Sequence, residues 1–493
     1  MGVLSTFADS AFTPTVILLL LFCTAYLFLR SQLLETDEYP IINKYPFDWT
    51  HRKAKAVFAQ DASGLIRDGF AKFKRPFRII TALGSRVILP SEYAEWVRKS
   101  PDVSHQALVA EDFFAGHPGF EGVTAVSDPS ETLIGLIKSR LSQNKFVDQF
   151  SNCALVFLHD SWGEAARWHE ITWAKDGTNL IGRMSSSVFV GEQLARNEQW
   201  QKISISYAVN MFQGARVLRS WPAWTRPYIH WFLKECKVCR AEVKNAGALL
   251  KSEIQRRSPA VEKYEDTITW MHNAAKGRPY NATSTQLGLS MAAVITTSEL
   301  LKQSLINICA HSELIGPLRE EIKQAVDQEG WSAATLAQML LLDSVIKETQ
   351  RLYPMSEVNL ERKVVRNTTL PNGQHLRGGT NISVSTSRFF DPEVYERPTD
   401  FDGTRFLKLR KQGGKWENSA SVVSTNSDHF VFGLGKYICP GRFFAAAEVK
   451  TALAVILSEY DVRLHSDYVP KVFRYGFEIL VDPEVRLEIR KRT

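Results

Sequence analysis

The chain of 493 residues is expected to fold as a mostly α-helical domain with small β-sheets. Two observations predict this class. Long segments with apolar residues at three- and four-residue spacing, the helical period, cover most of the sequence after residue 50. Stretches with strand character are short, and most lie toward the C-terminus. No long linker or internal repeat interrupts residues 51–493, so one large domain is predicted there, after a polar, proline-containing connector at residues 31–50.

The helical spacing predicts helices in the segments Trp200–Phe212, Arg240–Gln255, Gln286–Ala310, Ile315–Gln328, Ala334–Leu352 and Arg442–Glu459. The strand pattern predicts strands in the segments Arg78–Leu89, Leu376–Val384, Phe477–Val481 and Val485–Ile489. Because the strands are few and mostly late, we expect them to form small sheets at one side of a helical body.

Composition excludes several classes of protein. An apolar fraction of 44% and a charged fraction of 23% are ordinary for a folded globular protein and unlike a disordered chain. The six cysteines are sparse and irregularly spaced, unlike those of a small disulfide-bonded secreted domain. The net charge of +7 is modest for this length, and it fits a solvated surface as well as a weak attraction for acidic partners.

Residues 12–29 form an uncharged apolar run that ends at Arg30. The run has about the minimum length for a helix that spans a bilayer. A cleaved signal peptide is the alternative, but Asp9 stands where a basic leading region would be, and no small-x-small cleavage site follows. We therefore predict an uncleaved, single-pass membrane anchor over residues 1–30. The positive-inside tendency favours a cytosolic main body.

The most informative segment is the loop around Cys439, FVFGLGKYICPGRFFA at residues 430–445. Two glycines within three residues permit a tight turn and the close approach of a flat cofactor, because they carry no Cβ. Pro440 is a favoured first helical residue, so Cys439 is expected at the N-terminus of a helix. Backbone N–H groups and the helix dipole stabilise a metal-binding thiolate there. A buried structural cysteine is the alternative for any single Cys.

The spacing F-x-x-G-x-x-x-C-x-G is filled by Phe432, Gly435, Cys439 and Gly441, and it favours a metal ligand. The pattern resembles the signature of the cytochrome P450 family, and the extended form GKYxCPGRFFA is similar to the fungal branch. The resemblance implies a P450 fold and a haem-thiolate enzyme, with Cys439 as the axial ligand of the haem b iron. It also implies that Phe432 covers the sulfur and that Gly435 and Gly441 lie against the cofactor.

Two further motifs stand in the order that this family shows. Glu348 and Arg351 form an E-x-x-R pair on a predicted helix, which alone would be a common surface ion pair. The segment FDGTRF, which contains Arg405, is similar to the family segment whose arginine joins that pair. The resemblance implies a buried triad of these three residues that fixes the scaffold on the haem side.

A P450 needs a long helix with small residues and a hydroxyl over the oxygen side of the haem. The predicted helix Gln286–Ala310 carries Ala292 and Thr296, and the threonine is similar to the family residue that relays protons to dioxygen. Two positions depart from the family pattern A-G-x-(D/E)-T, since Ala293 replaces the glycine and Ile295 replaces the acid. Protons must then come through ordered water, the substrate or another side chain.

Tyr437 is another departure, because a basic residue often stands at this position and meets a haem propionate. Lys436 is the neighbouring candidate for that role. Arg362, in the segment LER, matches a second position that binds propionate in many relatives. A plain surface arginine is the alternative there.

The resemblance implies a monooxygenase of the endoplasmic reticulum membrane. Its electrons would come from NADPH through a cytochrome P450 reductase docking on the Cys439 side, with cytochrome b5 as an optional partner. Ile295 in the acid position leaves room for a P450-fold isomerase or dehydratase that works without reductase. A non-catalytic haem-binding membrane protein is the third alternative, and Thr296 favours monooxygenation over both.

Substrate specificity is expected in four segments, several of them apolar and aromatic: Glu111–Gly122, residues 205–240, Met355–Asn359 and Tyr475–Phe477. They predict a bulky lipophilic substrate. The segment VFVGE at 188–192 is similar to fungal P450s of secondary metabolism, so the expected substrate is a terpenoid or meroterpenoid, with an indole-type alkaloid as the alternative. The aromatic and basic residues of 205–240 fit a membrane-dipping surface, a lid or packed helices better than a nucleic-acid surface, and no nucleic-acid partner is expected.

Overall fold

The computed structural model describes residues 38–492 apart from positions 144, 258–262, 276 and 278–279, together with Leu18 and Phe22. The predicted membrane anchor therefore lies outside the described residues, except for those two positions. Within the part of the chain that is described, no helix combines the length and the apolar character that crossing a membrane requires.

Helices make up most of the domain, as the spacing of apolar residues predicted. In chain order they are α1 Arg52–Gln60, α2 Ala62–Phe73, α3 Ala94–Lys99, α4 His105–Asp112, α5 Glu121–Val126, α6 Thr132–Ser139, α7 Val147–Trp162, α8 Trp173–Phe189, α9 Gly191–Ala195, α10 Glu198–Arg219, α11 Arg226–Ile229, α12 Lys234–Arg257, α13 Thr267–Ala275, α14 Ala282–Ala310, α15 Ile315–Glu329, α16 Ala333–Gln338, α17 Leu340–Leu352, α18 Arg405–Gln412, α19 Trp416–Ser419 and α20 Arg442–Glu459.

The helix α14 lies at the centre of the domain and packs against α5, α8, α10, α17 and α20. Its start is fixed by Asn281, whose side-chain oxygen accepts a hydrogen bond from the amide of Ser284 at 2.9 Å. Apolar residues occur all around this helix, which is the composition expected of a helix that other helices surround.

In the described part of the chain, four small sheets flank the helices. Their strands are β1 Phe77–Thr81, β2 Gly84–Leu89, β3 Val103–Ser104, β4 His169–Ile171, β5 Val358–Val364, β6 Thr368–Thr369, β7 His375–Leu376, β8 Asn381–Ser385, β9 Tyr460–Leu464, β10 Val472–Tyr475, β11 Glu478–Val481 and β12 Leu487–Lys491. The largest sheet has the order β1-β2-β8-β5-β3, in which only the pairing of β2 with β8 is parallel among the described strands. The others are β4-β12-β9 and the hairpins β10-β11 and β6-β7.

The segment Ala334–Leu352, predicted as one helix, is two helices that meet at Met339. The carboxylate of Glu321 accepts hydrogen bonds from the amides of Leu341 at 2.7 Å and Leu342 at 3.0 Å. These are the unpaired amides of a helix start, so a side chain from a neighbouring helix sets the break. Local periodicity contains no sign of that partner.

The predicted connector at residues 31–50 is in part docked on the domain. Asn43 is fully buried, and its side chain pairs with both the amide and the carbonyl oxygen of Ile80, each at 2.9 Å. Tyr39 is also buried, and its hydroxyl donates to the carbonyl oxygen of His375 at 3.0 Å. The folded domain therefore includes Tyr39 and Asn43, which precede the predicted boundary at residue 51.

Candidate active site

The loop before Cys439 is held by its own backbone. The amide of Cys439 donates to the carbonyl oxygen of Phe432 at 2.7 Å. Between them Gly433 and Gly435 have φ angles of 76° and 65°, which other residues adopt only with strain. The two glycines therefore let the chain reverse tightly and present Cys439 at the mouth of the loop.

The helix after the cysteine covers Arg442–Glu459, as its apolar spacing predicted, but Pro440 is not its first residue. α20 starts at Arg442 with Gly441 as its N-cap, so Pro440 belongs to the loop and not to the first turn. The bond from the Cys439 amide back to the loop keeps this part of the chain out of the helix. Burial raises the pKa of the Cys439 thiol above its usual range, whereas the amides of Gly441 and Arg442 act in the opposite direction. Those two amides alone therefore do not make a thiolate, and a bound cation would be needed to complete the ionisation.

The structure brings together the three residues of the predicted triad. Arg351 donates to the two carboxylate oxygens of Glu348, both at 2.8 Å, and neither side chain is exposed. Arg405 donates to the same carboxylate at 2.9 Å. One carboxylate cannot neutralise two guanidinium groups, so backbone carbonyl oxygens offset the excess positive charge. Arg351 also donates to the carbonyl oxygens of Phe389 at 2.7 Å and Pro398 at 2.6 Å.

Arg362 is nearly buried, at 3% exposure, and its guanidinium lies 4.8 Å from the ring centre of Tyr437. One nitrogen donates to the carbonyl oxygen of Glu361 at 2.8 Å, but Nε has no hydrogen-bond partner among the described residues. Burial lowers the pKa of Arg362 to about 10. A buried cation with an unpaired donor is a site that an anionic group would stabilise.

His105 joins this cluster, and the sequence did not indicate it. Its Nδ1 lies 3.2 Å from the carbonyl oxygen of Glu361, and its ring centre is 6.2 Å from that of Tyr437. His105 is exposed, but desolvation by the protein atoms around it and the charge of Arg362 lower its pKa to about 4. Lys436, by contrast, is 64% exposed and pairs with Glu131 at 3.3 Å, so its amine points to the surface.

The central helix has two exposed residues near its middle. Ala292 and Thr296 are exposed, although helices surround the other faces of α14. The hydroxyl of Thr296 donates to the carbonyl oxygen of Ala292 at 2.8 Å. α14 packs on α20, the helix that follows Cys439, so the threonine and the cysteine loop belong to neighbouring elements. Ile295 is half-buried and offers no proton there.

The first two predicted specificity segments are in contact with each other. The rings of Phe113 and Phe212 are in an edge-to-face contact with centres 5.1 Å apart, which joins the 111–122 segment to α10. Farther along α10, the guanidinium of Arg216 lies 4.9 Å from the ring centre of Tyr475. The turn between β10 and β11 is therefore in contact with the same helix.

The other two specificity segments are joined by backbone hydrogen bonds. The amide of Glu357 donates to the carbonyl oxygen of Phe477 at 2.8 Å, and the amide of Ile479 donates to that of Met355 at 2.9 Å. Together with the aromatic contacts at α10, these bonds make one continuous border from four segments far apart in sequence. Aromatic side chains take part in these contacts at Phe113, Phe212 and Tyr475.

These residues fit a flat anionic cofactor bound through sulfur. A Cβ at Gly441 would meet no protein atom within 4 Å, so internal packing does not require glycine there, whereas the close approach of a planar group would. The unpaired Nε of Arg362 suits a propionate carboxylate. A thiolate-bound haem iron, when present, supplies the activation of dioxygen. The helical fold, the cysteine loop and the hydroxyl-bearing central helix define a haem-thiolate protein.

Comparison with known proteins agrees with this class. The sequence profile of the family described as Cytochrome P450 matches residues 131–487. The cytochrome P450 monooxygenase ntnM of Nectria sp is 36% identical over 459 residues, which cover 92% of this chain and 88% of that protein. The cytochrome P450 monooxygenase hepE of Aspergillus oryzae is 37% identical over 471 residues, which cover 92% and 86%. The crystal structure of the cytochrome P450DA haem domain has a TM-score of 0.70 at 16% identity, with 92% of this chain and 97% of that chain covered.

The chain belongs to the cytochrome P450 family. It is an oxidoreductase of the monooxygenase type, as its motifs predicted. The likeness to the solved haem domain extends the agreement to the fold.

Proposed function

We propose that the protein oxidises a bulky lipophilic small molecule, a terpenoid or meroterpenoid, in fungal secondary metabolism. The observation that carries this proposal is the group of aromatic side chains at which the four segments meet, which we take as a lining beside the exposed Ala292 and Thr296. Such a lining gains free energy by removing apolar ligand surface from water and offers few polar groups to a charged substrate. The fungal origin of the compared monooxygenases supports the same assignment.

Each side chain of the site then has a stated task. Cys439 would hold the haem iron through sulfur, and Arg362 would hold a propionate. Ala292 leaves room for the substrate beside the haem because its side chain is a single methyl group. The hydroxyl of Thr296 would first break its hydrogen bond to the carbonyl oxygen of Ala292. It would then pass a proton toward the face of the haem where dioxygen binds.

Electrons would come from NADPH through a cytochrome P450 reductase, with cytochrome b5 as an optional second donor. Exposed basic residues near the cysteine loop support docking of an acidic partner, among them Lys138, Arg140 and Lys436. Complementary charge raises the rate of association more than the final affinity. Docking should therefore weaken as ionic strength increases.

The catalytic domain would face the cytosol at the endoplasmic reticulum, held by the anchor at residues 1–30. Exposed aromatic side chains in 205–240 support contact with a membrane surface, since Trp224 is 79% exposed, Tyr228 71% and Phe232 72%. Amphipathic aromatic residues favour the headgroup region of a bilayer. Digestion of intact microsomes with protease tests this topology, because a cytosolic domain is cleaved and a lumenal one is protected.

The function is tested with the full-length protein in microsomes, a reductase and lipophilic extracts of the source organism. We expect a reduced carbon monoxide difference band of a haem thiolate and products that carry one added oxygen only when NADPH is supplied. The Cys439→Ser variant should lose the band and the products. A band at the position of a histidine-ligated haem would refute thiolate ligation.

The departure at Ile295 keeps a second function open, an isomerase or dehydratase on the P450 fold. Turnover that continues without NADPH and without reductase would establish that alternative. Products that retain an indole nitrogen would move the substrate class from terpenoids to alkaloids. Haem and ligand binding with no product under any condition would leave only a non-catalytic haem-binding protein.

A further inference from the structure

The aromatic segment 221–232 has a single buried side chain. His230 is 3% exposed, whereas every other residue of the segment is exposed or half-buried. Trp224, Tyr228 and Phe232 are each more than two-thirds exposed. A segment that buries so little of its surface opens at a low cost in free energy. Its position on the domain therefore depends strongly on the contact that His230 makes.

That contact is with a second histidine. The ring centre of His230 lies 5.4 Å from that of His117, and the two ring planes are at 77°. His117 belongs to the 111–122 segment, in which Phe113 touches Phe212 of α10. Nδ1 of His230 is buried and has no hydrogen bond of normal geometry to the described residues. The two imidazoles thus join the aromatic segment to a predicted specificity segment.

Arginine side chains lie on both sides of the two rings. On α12, Arg240 donates to the carbonyl oxygen of His230 at 3.0 Å. The guanidinium groups of Arg219 and Arg226 lie 5.4 and 5.6 Å from the ring centre of Phe114. That phenyl ring is in turn in edge-to-face contact with the second imidazole. A proton added to either histidine would therefore place a positive charge among cations.

The acids and thiols of this region offer little compensation. The carboxylate of Glu121 accepts a hydrogen bond from a backbone amide of its own segment at 2.9 Å. The carboxylate of Asp112 pairs with Arg219 at 3.1 Å. On α12, burial raises the pKa of the thiols of Cys236 and Cys239, so both are neutral. A buried charge without a counter-ion is costly, so the docked rings favour the neutral form.

The pKa values of the two histidines agree with this. Burial lowers the pKa of His117 below 6.5, although two carbonyl oxygens of its own loop act in the opposite direction. Burial, the charge of His117 and that of Arg240 lower the pKa of His230, and the carbonyl oxygen of Pro227 opposes them. Both rings are therefore harder to protonate in the docked arrangement than in water.

We propose that the contact of His117 with His230 is an acid-sensitive latch, which holds the segment 221–232 on the 111–122 segment while both rings are neutral and releases it when they are protonated. Release brings the charged imidazoles into water and away from the arginines. It also frees one side of a predicted specificity segment, so mild acidity should ease the entry of a bulky substrate. That consequence rests on the proposed function, whereas the release itself does not.

The direction of the pH effect follows from proton binding. A histidine in water has a pKa of about 6.5, and the docked arrangement lowers this value. The released state therefore binds more protons than the docked state as the pH falls through this range, and release becomes more favourable. Between pH 7.5 and pH 5.5, the released fraction should rise by up to about 10-fold for each histidine that stays neutral when docked.

The test is chymotrypsin cleavage of the full-length holoenzyme in detergent at these two pH values, with cleavage in 221–232 located by mass spectrometry. The variant that combines His117→Phe with His230→Phe keeps two rings in contact but cannot be protonated there. Each variant is compared with the wild type at the same pH, so the pH dependence of the protease cancels. The ratio of the wild-type rate to the variant rate should rise at least severalfold from pH 7.5 to pH 5.5, and His230→Phe alone should give a smaller rise.

His159→Phe is the matched control, because His159 is 64% exposed and lies beside the carboxylates of Asp160 and Glu164. It should match the wild type at both pH values, and all the variants should keep the carbon monoxide difference band. Hydrogen exchange of the wild type gives a second measurement that needs no variant, since protection of 221–232 should fall at pH 5.5. The proposal is overturned if that protection is unchanged, if the double variant follows the wild type at both pH values, or if His159→Phe removes as much of the pH dependence.

Discussion

Arg351 donates two hydrogen bonds of 2.8 Å to the carboxylate of Glu348, and both side chains are completely buried. The pair lies on α17, and Arg405 at the start of α18 donates to the same carboxylate at 2.9 Å. One buried carboxylate thus faces two guanidinium groups, and backbone carbonyl oxygens accept hydrogen bonds from other N–H groups of the two arginines. Each member depends on the others, because a buried charge that loses its partner stays desolvated.

Arg351→Ala should therefore cost about 3–5 kcal/mol of folding free energy, the range for removing one partner of a buried pair. We expect haem and fold to be lost together, measured by the haem-to-protein ratio and by urea unfolding. Lys323→Ala is the control, since the ion pair of Lys323 with Asp327 is 71% and 60% exposed, and its loss should leave both measurements unchanged. Normal haem incorporation in Arg351→Ala would contradict this role.

Gly435→Ala should destabilise the cysteine loop for two reasons. The residue has φ 65°, and a Cβ there would lie 2.6 Å from Cγ of Arg98 and 3.1 Å from its carbonyl oxygen. Gly414→Ala separates the two effects, because Gly414 has φ 62° and nothing within 4 Å of the added Cβ. We expect about 1–2 kcal/mol for Gly414→Ala and roughly 1–3 kcal/mol more for Gly435→Ala. Equal unfolding free energies for the two variants would remove the contact with Arg98 as a cause.

Glu448 should make stability depend on pH in the opposite sense from an ordinary carboxylate. Burial raises its pKa from 4.5 to about 8, and only the hydroxyl of Ser185, at 2.8 Å, opposes this among the described residues. Between these two values the folded protein binds more protons than the unfolded chain, so stability falls as the pH rises.

Glu448→Gln removes that titration, so it should lose less stability than the wild type between pH 5 and about pH 8. Urea unfolding across this range measures the difference. Glu320→Gln, at an exposed position on α15, should give a curve parallel to that of the wild type. If the curves of Glu448→Gln and the wild type are also parallel, the carboxyl of Glu448 is not protonated in the fold.

Arg219 should hold the end of α10 against the first sheet. It donates to the carbonyl oxygen of Leu83 at 2.7 Å and pairs with the buried carboxylate of Asp112 at 3.1 Å. Arg219→Ala should therefore speed chymotrypsin cleavage severalfold in the aromatic segment 221–232, because local opening costs less free energy. Arg216→Ala, on the same helix but 44% exposed, should leave the cleavage rate unchanged. Equal rates in both variants would show that Arg219 is not the anchor.

Much of the fold was predictable from periodicity, but the ends of its elements were not. Helices α10 and α12 both extend beyond the predicted segments, since packing continues past the residues whose spacing is clear. The segment Leu376–Val384, predicted as one strand, is interrupted where Gly379 adopts φ 91°. Turns and caps of this kind depend on partners supplied by other parts of the chain.

The sequence by itself determined the family, the identity of Cys439 as the iron ligand, the E-x-x-R pair and the replacement of the usual acid by Ile295. Each of these depends only on which residue types stand a few positions apart. Only the tertiary structure decided that Arg362 is buried with an unpaired donor while Lys436 is exposed. It likewise decided that His105 joins Arg362 across more than 250 positions of sequence, and that the rings of His117 and His230 are in contact. Burial and partners set the charge and chemistry of a side chain, and distant segments supply both when they pack together.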